Sequence, residues 1–361
     1  MLVPVQRTTV PVTVLTGFLG AGKTTLLRRI LSEAHGYKIA VIENELGEVA
    51  IDSELLIGTA PAEIVVMNNG CICCTIRGDL SETLHELARR RITGSLDYSR
   101  VVIETTGLAH PAPVAQTFFV DPSVKAHFHL DGIVTVVDAK HGPQQLDCQT
   151  EAQEQVGFAD RLLLSKIDLV TPREETRLRQ RLARINSRAP IARVDFGSVP
   201  IQQVLEVNGF ALDAILELSP DFLDADVDTQ AGGSHHDDHA CGDEHCHHAE
   251  RHSDLDHDEV RSFVLRTTAP IDIGPFQNFI SNLMGRYGAD LLRYKGIINF
   301  YQATQRFILQ GVHTTMQATP GEPWRNEERR ETLLVFIGRG LPQAAFEQEF
   351  ACCKVAEPAS A

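Results

Sequence analysis

Short apolar runs rich in Val and Ile recur through the first two hundred residues, at 10–15, 38–42, 64–67, 101–103, 133–137 and 162–164. They lack polar alternation, which predicts strands buried on both faces and hence a parallel sheet. Helical stretches lie between several of them. One follows the first run at 25–31. Asp79-Leu80-Ser81-Glu82 resembles a capping box opening a stretch to Arg91. Thr171-Pro172-Arg173-Glu174 is a cleaner box, with Pro at the first helical position, opening a helix to about residue 186. This alternation predicts a doubly wound α/β domain. Apolar periodicity lapses over 221–258 and returns from Arg261. There 262–266, 296–300, 306–312 and 332–337 read as strands, and 275–286 and 342–352 as helices. Strands outnumber helices, so a smaller α+β domain with a largely antiparallel sheet is expected. The chain divides into 1–215, a linker at 221–258, and 260–352; no internal repeat is visible.

A chain of 361 residues and 39.8 kDa suits two domains, and 43% apolar with 22% charged residues suits ordinary globular cores. No run of 18 apolar residues occurs, so no membrane span is expected. The N-terminus lacks the apolar stretch of a secretory signal, so a cytoplasmic protein is expected. The formal net charge of −15 argues against binding a nucleic-acid backbone. That charge is concentrated: residues 221–259 hold 13 Asp/Glu against Arg251, a local net of −12, leaving about −3 for the rest. The same segment carries His235, His236, His239, Cys241, His245, Cys246, His247 and His248. It reads as a disordered linker that binds Zn²⁺ weakly through many exchangeable side chains.

Gly17-Phe18-Leu19-Gly20-Ala21-Gly22-Lys23-Thr24 satisfies the P-loop pattern G-x-x-x-x-G-K-[ST], between a strand and a helix that begins at Thr25. Its glycines let backbone N–H groups curl around phosphate oxygens at a helix N-terminus. Lys23 is expected against the β- and γ-phosphates, with the Thr24 hydroxyl on Mg²⁺. Glu104-Thr105-Thr106-Gly107 matches the D-x-x-G element of GTPases with Glu for Asp; Glu104 is expected to hold Mg²⁺, and the Gly107 amide to sense the γ-phosphate. Ser165-Lys166-Ile167-Asp168 ends a buried run as S-K-x-D, where GTPases usually show N-K-x-D. The Asp168 carboxylate can accept from both N1–H and the exocyclic amine of guanine, which selects GTP over ATP. Lys166 is expected to lay its stem along the base, and Ser165 alters the network that holds the loop. A P-loop kinase is disfavoured by the S-K-x-D element and by the lack of a clear acceptor site.

Eight cysteines without a secretory signal point to metal chemistry rather than disulfides. Cys71, Cys73 and Cys74 form a C-x-C-C run flanked by Asn69-Gly70 and Thr75, a polar setting unlike a core. Three thiolates can turn toward one soft cation, and Zn²⁺ prefers four ligands, so at least one place remains for carboxylate, imidazole or water. Glu43, Glu45 and Glu48 follow the second apolar run, where P-loop proteins keep a first switch; they are candidates for Mg²⁺, for water, or for completing the metal site.

Together these elements resemble the CobW-type metallochaperone GTPases, in their YjiA-like branch. The resemblance is carried by 17–25, 43–48, 71–74, 104–107 and 165–168, with Leu292-Arg293-Tyr294-Lys295-Gly296 in the second domain. It implies a P-loop GTPase domain with a mostly parallel sheet and an α+β CobW C-terminal domain. It implies GTP hydrolysis to GDP and phosphate, with Mg²⁺ as cofactor and Lys23, Thr24 and Glu104 as catalytic residues. It implies nucleotide contacts from Gly17, Gly20, Ala21, Gly22, Thr25, Gly107, Ser165, Lys166 and Asp168. It also implies Zn²⁺, Co²⁺ or Ni²⁺ at Cys71, Cys73 and Cys74 with Glu43 and Glu48, passed to a client metalloprotein under nucleotide control. The alternatives are a metal store with a regulatory GTPase, and a nickel or cobalt insertion chaperone. No arginine finger is evident, so a partner or a second copy in a homodimer is the expected source of the missing group.

Overall fold

The computed structural model describes residues 9–43, 76–209, 259–325 and 328–355. The first domain is a six-stranded sheet flanked by helices. Its strands are β1 (Val10–Thr16), β2 (Ile39–Glu43), β3 (Arg100–Glu104), β4 (Phe128–Asp138), β5 (Arg161–Ser165) and β6 (Ile191–Arg193). They lie in the order β2-β3-β1-β4-β5-β6, and every pairing is parallel. Val12, Val14, Val101, Val102, Ile133, Val134, Leu162 and Leu163 are almost fully buried, as strands covered on both faces require. The helices are α1 (Lys23–Ser32), α2 (Ile76–Ile92), α3 (Pro111–Val120), α4 (Pro122–His127), α5 (Gly142–Cys148), α6 (Thr150–Phe158), α7 (Pro172–Ile185) and α8 (Gln202–Leu205).

Five of the six strands expected here are present; the run at 64–67 lies outside the described residues. β6 is an addition. It has three residues, too few for a pattern, and exists because it pairs with β5. α2 runs from Ile76, so it does not open at the Asp79 box. The Thr171 box is present: Thr171 accepts from the Glu174 N–H, Glu174 accepts from the Thr171 N–H, and Pro172 occupies the first turn.

The second domain is a five-stranded sheet of order β10-β9-β8-β11-β7, wholly antiparallel: β7 (Val260–Thr267), β8 (Leu291–Ile298), β9 (Gln305–Val312), β10 (Thr315–Pro323) and β11 (Thr332–Arg339). Helices α9 (Ile273–Tyr287) and α10 (Gln343–Ala351) pack on it through an aromatic core that includes Phe263, Phe279, Phe336, Phe346 and Phe350. β8 starts five residues before the expected 296–300. The polar pair Arg293 and Lys295 breaks the apolar run, yet both face one buried carboxylate in the first domain, Asp160. The domains share a core: Val260, Leu292, Val335 and Ile337 join the same buried cluster as Phe158 and Ala159. Among the described residues no helix is long and apolar enough to cross a membrane.

Candidate functional site

The site lies at the carboxyl ends of the parallel strands, where doubly wound sheets bind ligands. β1 ends at Thr16, and the loop 17–22 turns back against β4. A Cβ on Gly17 would lie 2.3 Å from the Val136 carbonyl oxygen, at φ +142°, so only glycine fits there. Gly22 caps α1 in the left-handed conformation, φ 101°. Lys23 folds back over the loop. Its Nζ donates to the Gly17 carbonyl at 2.8 Å and to that of Phe18 at 3.3 Å. Burial holds its ammonium below the usual lysine range, and the nearby Glu104 pulls in the opposite direction. The Thr24 hydroxyl donates to Glu104 Oε1 at 3.0 Å. P-loop hydroxyl, P-loop ammonium and the acid at the end of β3 therefore form one cluster. A hydroxyl and a carboxylate are hard oxygen donors, which fits Mg²⁺.

The loop after β3 is pinned on both sides. The Thr105 N–H donates to the Leu15 carbonyl at 3.0 Å, and its hydroxyl donates to Thr16 Oγ1 at 2.9 Å. Gly107 abuts the P-loop so closely that a Cβ would sit 2.6 Å from the Leu19 nitrogen. From behind, Gln155 of α6 donates Nε2 to the carbonyls of Gly107 at 3.0 Å and Ala109 at 3.1 Å. Gln155 is almost fully buried. Sequence pattern offers no signal for it, because a Gln inside a helix is usually a surface residue.

On the base side, Ser165 does not leave the loop untethered. Its hydroxyl lies 2.7 Å from the Ala21 carbonyl and 3.3 Å from that of Val137, with one proton to give. The shorter contact joins the S-K-x-D segment to the P-loop directly. Lys166 sits in the left-handed region, φ 55°, and donates Nζ to Asp138 Oδ2 at 2.7 Å. Asp138, buried at the end of β4, also accepts from the N–H groups of Lys140 and His141 and meets the His141 ring at 3.0 Å. Burial pushes its carboxyl up, but these donors outweigh it and hold it below the usual range. Asp138 was not a candidate from sequence; the acid ending the buried V-V-D run is the signal that would have found it. Asp168 is exposed on the 3-10 turn Ile167–Leu169.

β2 ends at Glu43, whose register partner on β3 is Glu104, so the end of β2 lies beside the strand end that carries this cluster's acid. Glu48, Cys71, Cys73, Cys74, His235, His236, His239, Cys241, His245, Cys246, His247 and His248 lie outside the described residues. Among the described residues no three His, Cys, Asp or Glu side chains converge as a metal site. Among the described residues Cys148, Cys352 and Cys353 are not joined to one another by a disulfide.

Residues 11–193 match the model of the CobW/HypB/UreG nucleotide-binding domain, and residues 260–354 that of the cobalamin synthesis protein CobW C-terminal domain. The chain belongs to the CobW family of P-loop proteins. Zinc chaperone YjiA of Escherichia coli is 39% identical over 343 residues, which cover 95% of this chain and 98% of that protein. Zinc chaperone CobW of Pseudomonas aeruginosa is 32% identical, over 94% of this chain and 90% of its own. The crystal structure of the Zn(II)-bound YjiA GTPase from E. coli superposes with a TM-score of 0.71 at 32% identity, covering 96% of this chain and all of that one.

Proposed function

We propose that this CobW-family chain is a GTP-hydrolysing zinc chaperone, which binds its metal at Cys71, Cys73 and Cys74 with Glu43 and Glu48 and passes it to a client metalloprotein under nucleotide control. The observation that carries this reading is the Lys23–Thr24–Glu104 cluster, set one strand away from the end of β2. The relatives named as zinc chaperones match over nearly their whole length. Together these favour zinc over nickel or cobalt as the cargo.

The chemistry follows from the residues. Lys23, now spent on loop carbonyls, turns to the β- and γ-phosphate oxygens when nucleotide enters; a partly desolvated ammonium gains more from such charge than a hydrated one. Thr24 and Glu104 would hold Mg²⁺, which supplies neutralisation of the charge that builds on the phosphates. The Gly107 N–H, with its carbonyl tied back by Gln155, is free to turn toward the γ-phosphate. Asp168 accepts from guanine, while Lys166, fixed on Asp138, shapes the base loop. Loss of the γ-phosphate releases the segments 43–48 and 71–74, as in other switch segments, and the thiolate geometry changes with them.

The test is zinc affinity, measured by competition with a chelating dye in the GDP form and in a non-hydrolysable GTP analogue. Affinities that differ between the two forms are expected, and Cys71, Cys73 and Cys74 changed together to Ser should remove the tight site while GTP binding survives. Linkage then requires zinc to shift nucleotide affinity by the same factor. Equal zinc affinities in both forms would reduce the protein to a metal store.

A further inference from the structure

Three consecutive residues of α6 reach three different places. Gln153 Oε1 accepts from the Val260 N–H of the second domain at 3.1 Å. Glu154 places Oε2 2.5 Å from His110 Nδ1, and its Oε1 accepts from Arg339 Nη2, at the end of β11, at 3.0 Å. Gln155 holds the carbonyls of Gly107 and Ala109. Neighbours on a helix leave it about 100° apart, so one short helix can face the loop, the joint and the second domain at once. His110 is the residue before α3 and ends the loop after β3 that carries Gly107. Both ends of 107–110 thus hang on α6. The helix is seated on the second domain, where a Cβ on Gly157 would touch Val260, Leu292 and Ile337, each at 3.3 Å.

We propose that α6 is the element through which the second domain positions the Gly107 loop for GTP hydrolysis, with His110–Glu154–Arg339 as its adjustable joint. This rests on hydrolysis at the P-loop. His110, Glu154 and Arg339 are positioning residues; none belongs to the nucleotide site.

Charge at the joint depends on pH. The hydrogen bond to Glu154 raises His110 above the ordinary histidine value; burial opposes it, Glu151 adds to it, and Arg339 subtracts. Burial pushes Glu154 up, but His110 and Arg339 outweigh it and keep the carboxyl ionised. His313, on the turn between β9 and β10, faces Glu154, and burial holds its ring below the usual range, hence neutral. The folded His110 value is raised, so its charge strengthens the joint fully below about pH 6.5 and is lost as pH climbs through the raised value. A neutral imidazole can still donate to Glu154, so the joint weakens rather than parts.

The experiment uses the full chain with Arg339→Ala and His110→Gln, which keeps a hydrogen bond but not the charge. Each should lower kcat about fivefold while KM for GTP stays within about twofold, and the alkaline fall in wild-type turnover should vanish in His110→Gln. A second readout does not need hydrolysis: the His110 ring is titrated by NMR with GDP and with a non-hydrolysable GTP analogue. Its pKa should differ between the two by about 0.3 or more, because a loop that moves with the γ-phosphate must move its own proton equilibrium. Wild-type kcat and pH profile in both variants, or identical His110 titrations in the two nucleotide forms, would overturn the proposal. Failure of the hydrolytic reading looks different: wild-type turnover would then match that of Lys23→Ala, while the His110 titration still decides the coupling.

Discussion

Asp138 orders the S-K-x-D side of the site through its contacts to Lys166, Lys140 and His141. It fixes Lys166 through Oδ2 and the Lys140–His141 turn through Oδ1, so the segment bearing Asp168 is held before nucleotide arrives. Ser165 finishes the arrangement with its 2.7 Å contact to the Ala21 carbonyl. An Asn could reach two partners; a hydroxyl has one proton, and here it goes to the P-loop. Under the proposed function, base specificity rests with the exposed Asp168. Changing Asp168→Asn keeps one acceptor oxygen and replaces the other by a donor, so one guanine donor loses its partner. The preference for GTP over ATP should fall about tenfold to a hundredfold, read by competition of the two nucleotides for a fluorescent GDP analogue. An unchanged ratio would place the base reader elsewhere.

Elements differ in how much of their stability is local. α7 carries its own start signal: the reciprocal Thr171–Glu174 bonds and Pro172 satisfy and pre-set its first turn, while Leu178, Leu182 and Ile185 bury its apolar side. Thr171→Ala should cost about 1 kcal/mol, read from the urea midpoint at unchanged slope. β8 is the opposite case. Its L-L-R-Y-K-G sequence looks like a broken strand because two cations interrupt it, and only Asp160 across the domain boundary explains them. β10 gave no signal for a similar reason. As an edge strand it pairs with β9 alone, its side chains stay partly exposed, and it ends at Pro323, so neither apolar alternation nor propensity marks it.

At the scale of the molecule, the two domains behave as one packed body around Asp160. Arg293 Nη2 donates to Asp160 Oδ1 at 2.6 Å and Arg293 Nη1 to the Phe158 carbonyl at 2.5 Å; Lys295 approaches the same Oδ1 at 3.2 Å. Burial pushes Asp160 up, and the two cations outweigh it and hold the carboxyl ionised. Burial also lowers Lys295, to about 8, with Asp160 opposing. Removing Arg293 leaves the buried Asp160 with Lys295 as its remaining cation and the Phe158 carbonyl without its donor, so Arg293→Ala should destabilise the chain by about 3–5 kcal/mol in chemical denaturation. The shared apolar cluster predicts that both domains still unfold together. A loss below about 1 kcal/mol would mean that water or a neighbouring cation replaces the guanidinium.

The P-loop, the E-T-T-G and S-K-x-D segments, the parallel first sheet, the antiparallel second one and the Thr171 helix start were all determined by sequence alone. Each depends on residues within a few positions of one another: a glycine spacing, an apolar run, a cap. The tertiary structure decided what spans the chain. Asp160 and Arg293 are 133 positions apart, and Glu154 and Arg339 are 185 apart. No local pattern requires either pair, because a buried charge is tolerated only where a distant fold element brings its counter-ion. The same holds for Gln155 behind Gly107 and for Asp138 beneath Lys166. The chemistry is written in short motifs, and the positioning of that chemistry comes from packing between segments remote in sequence.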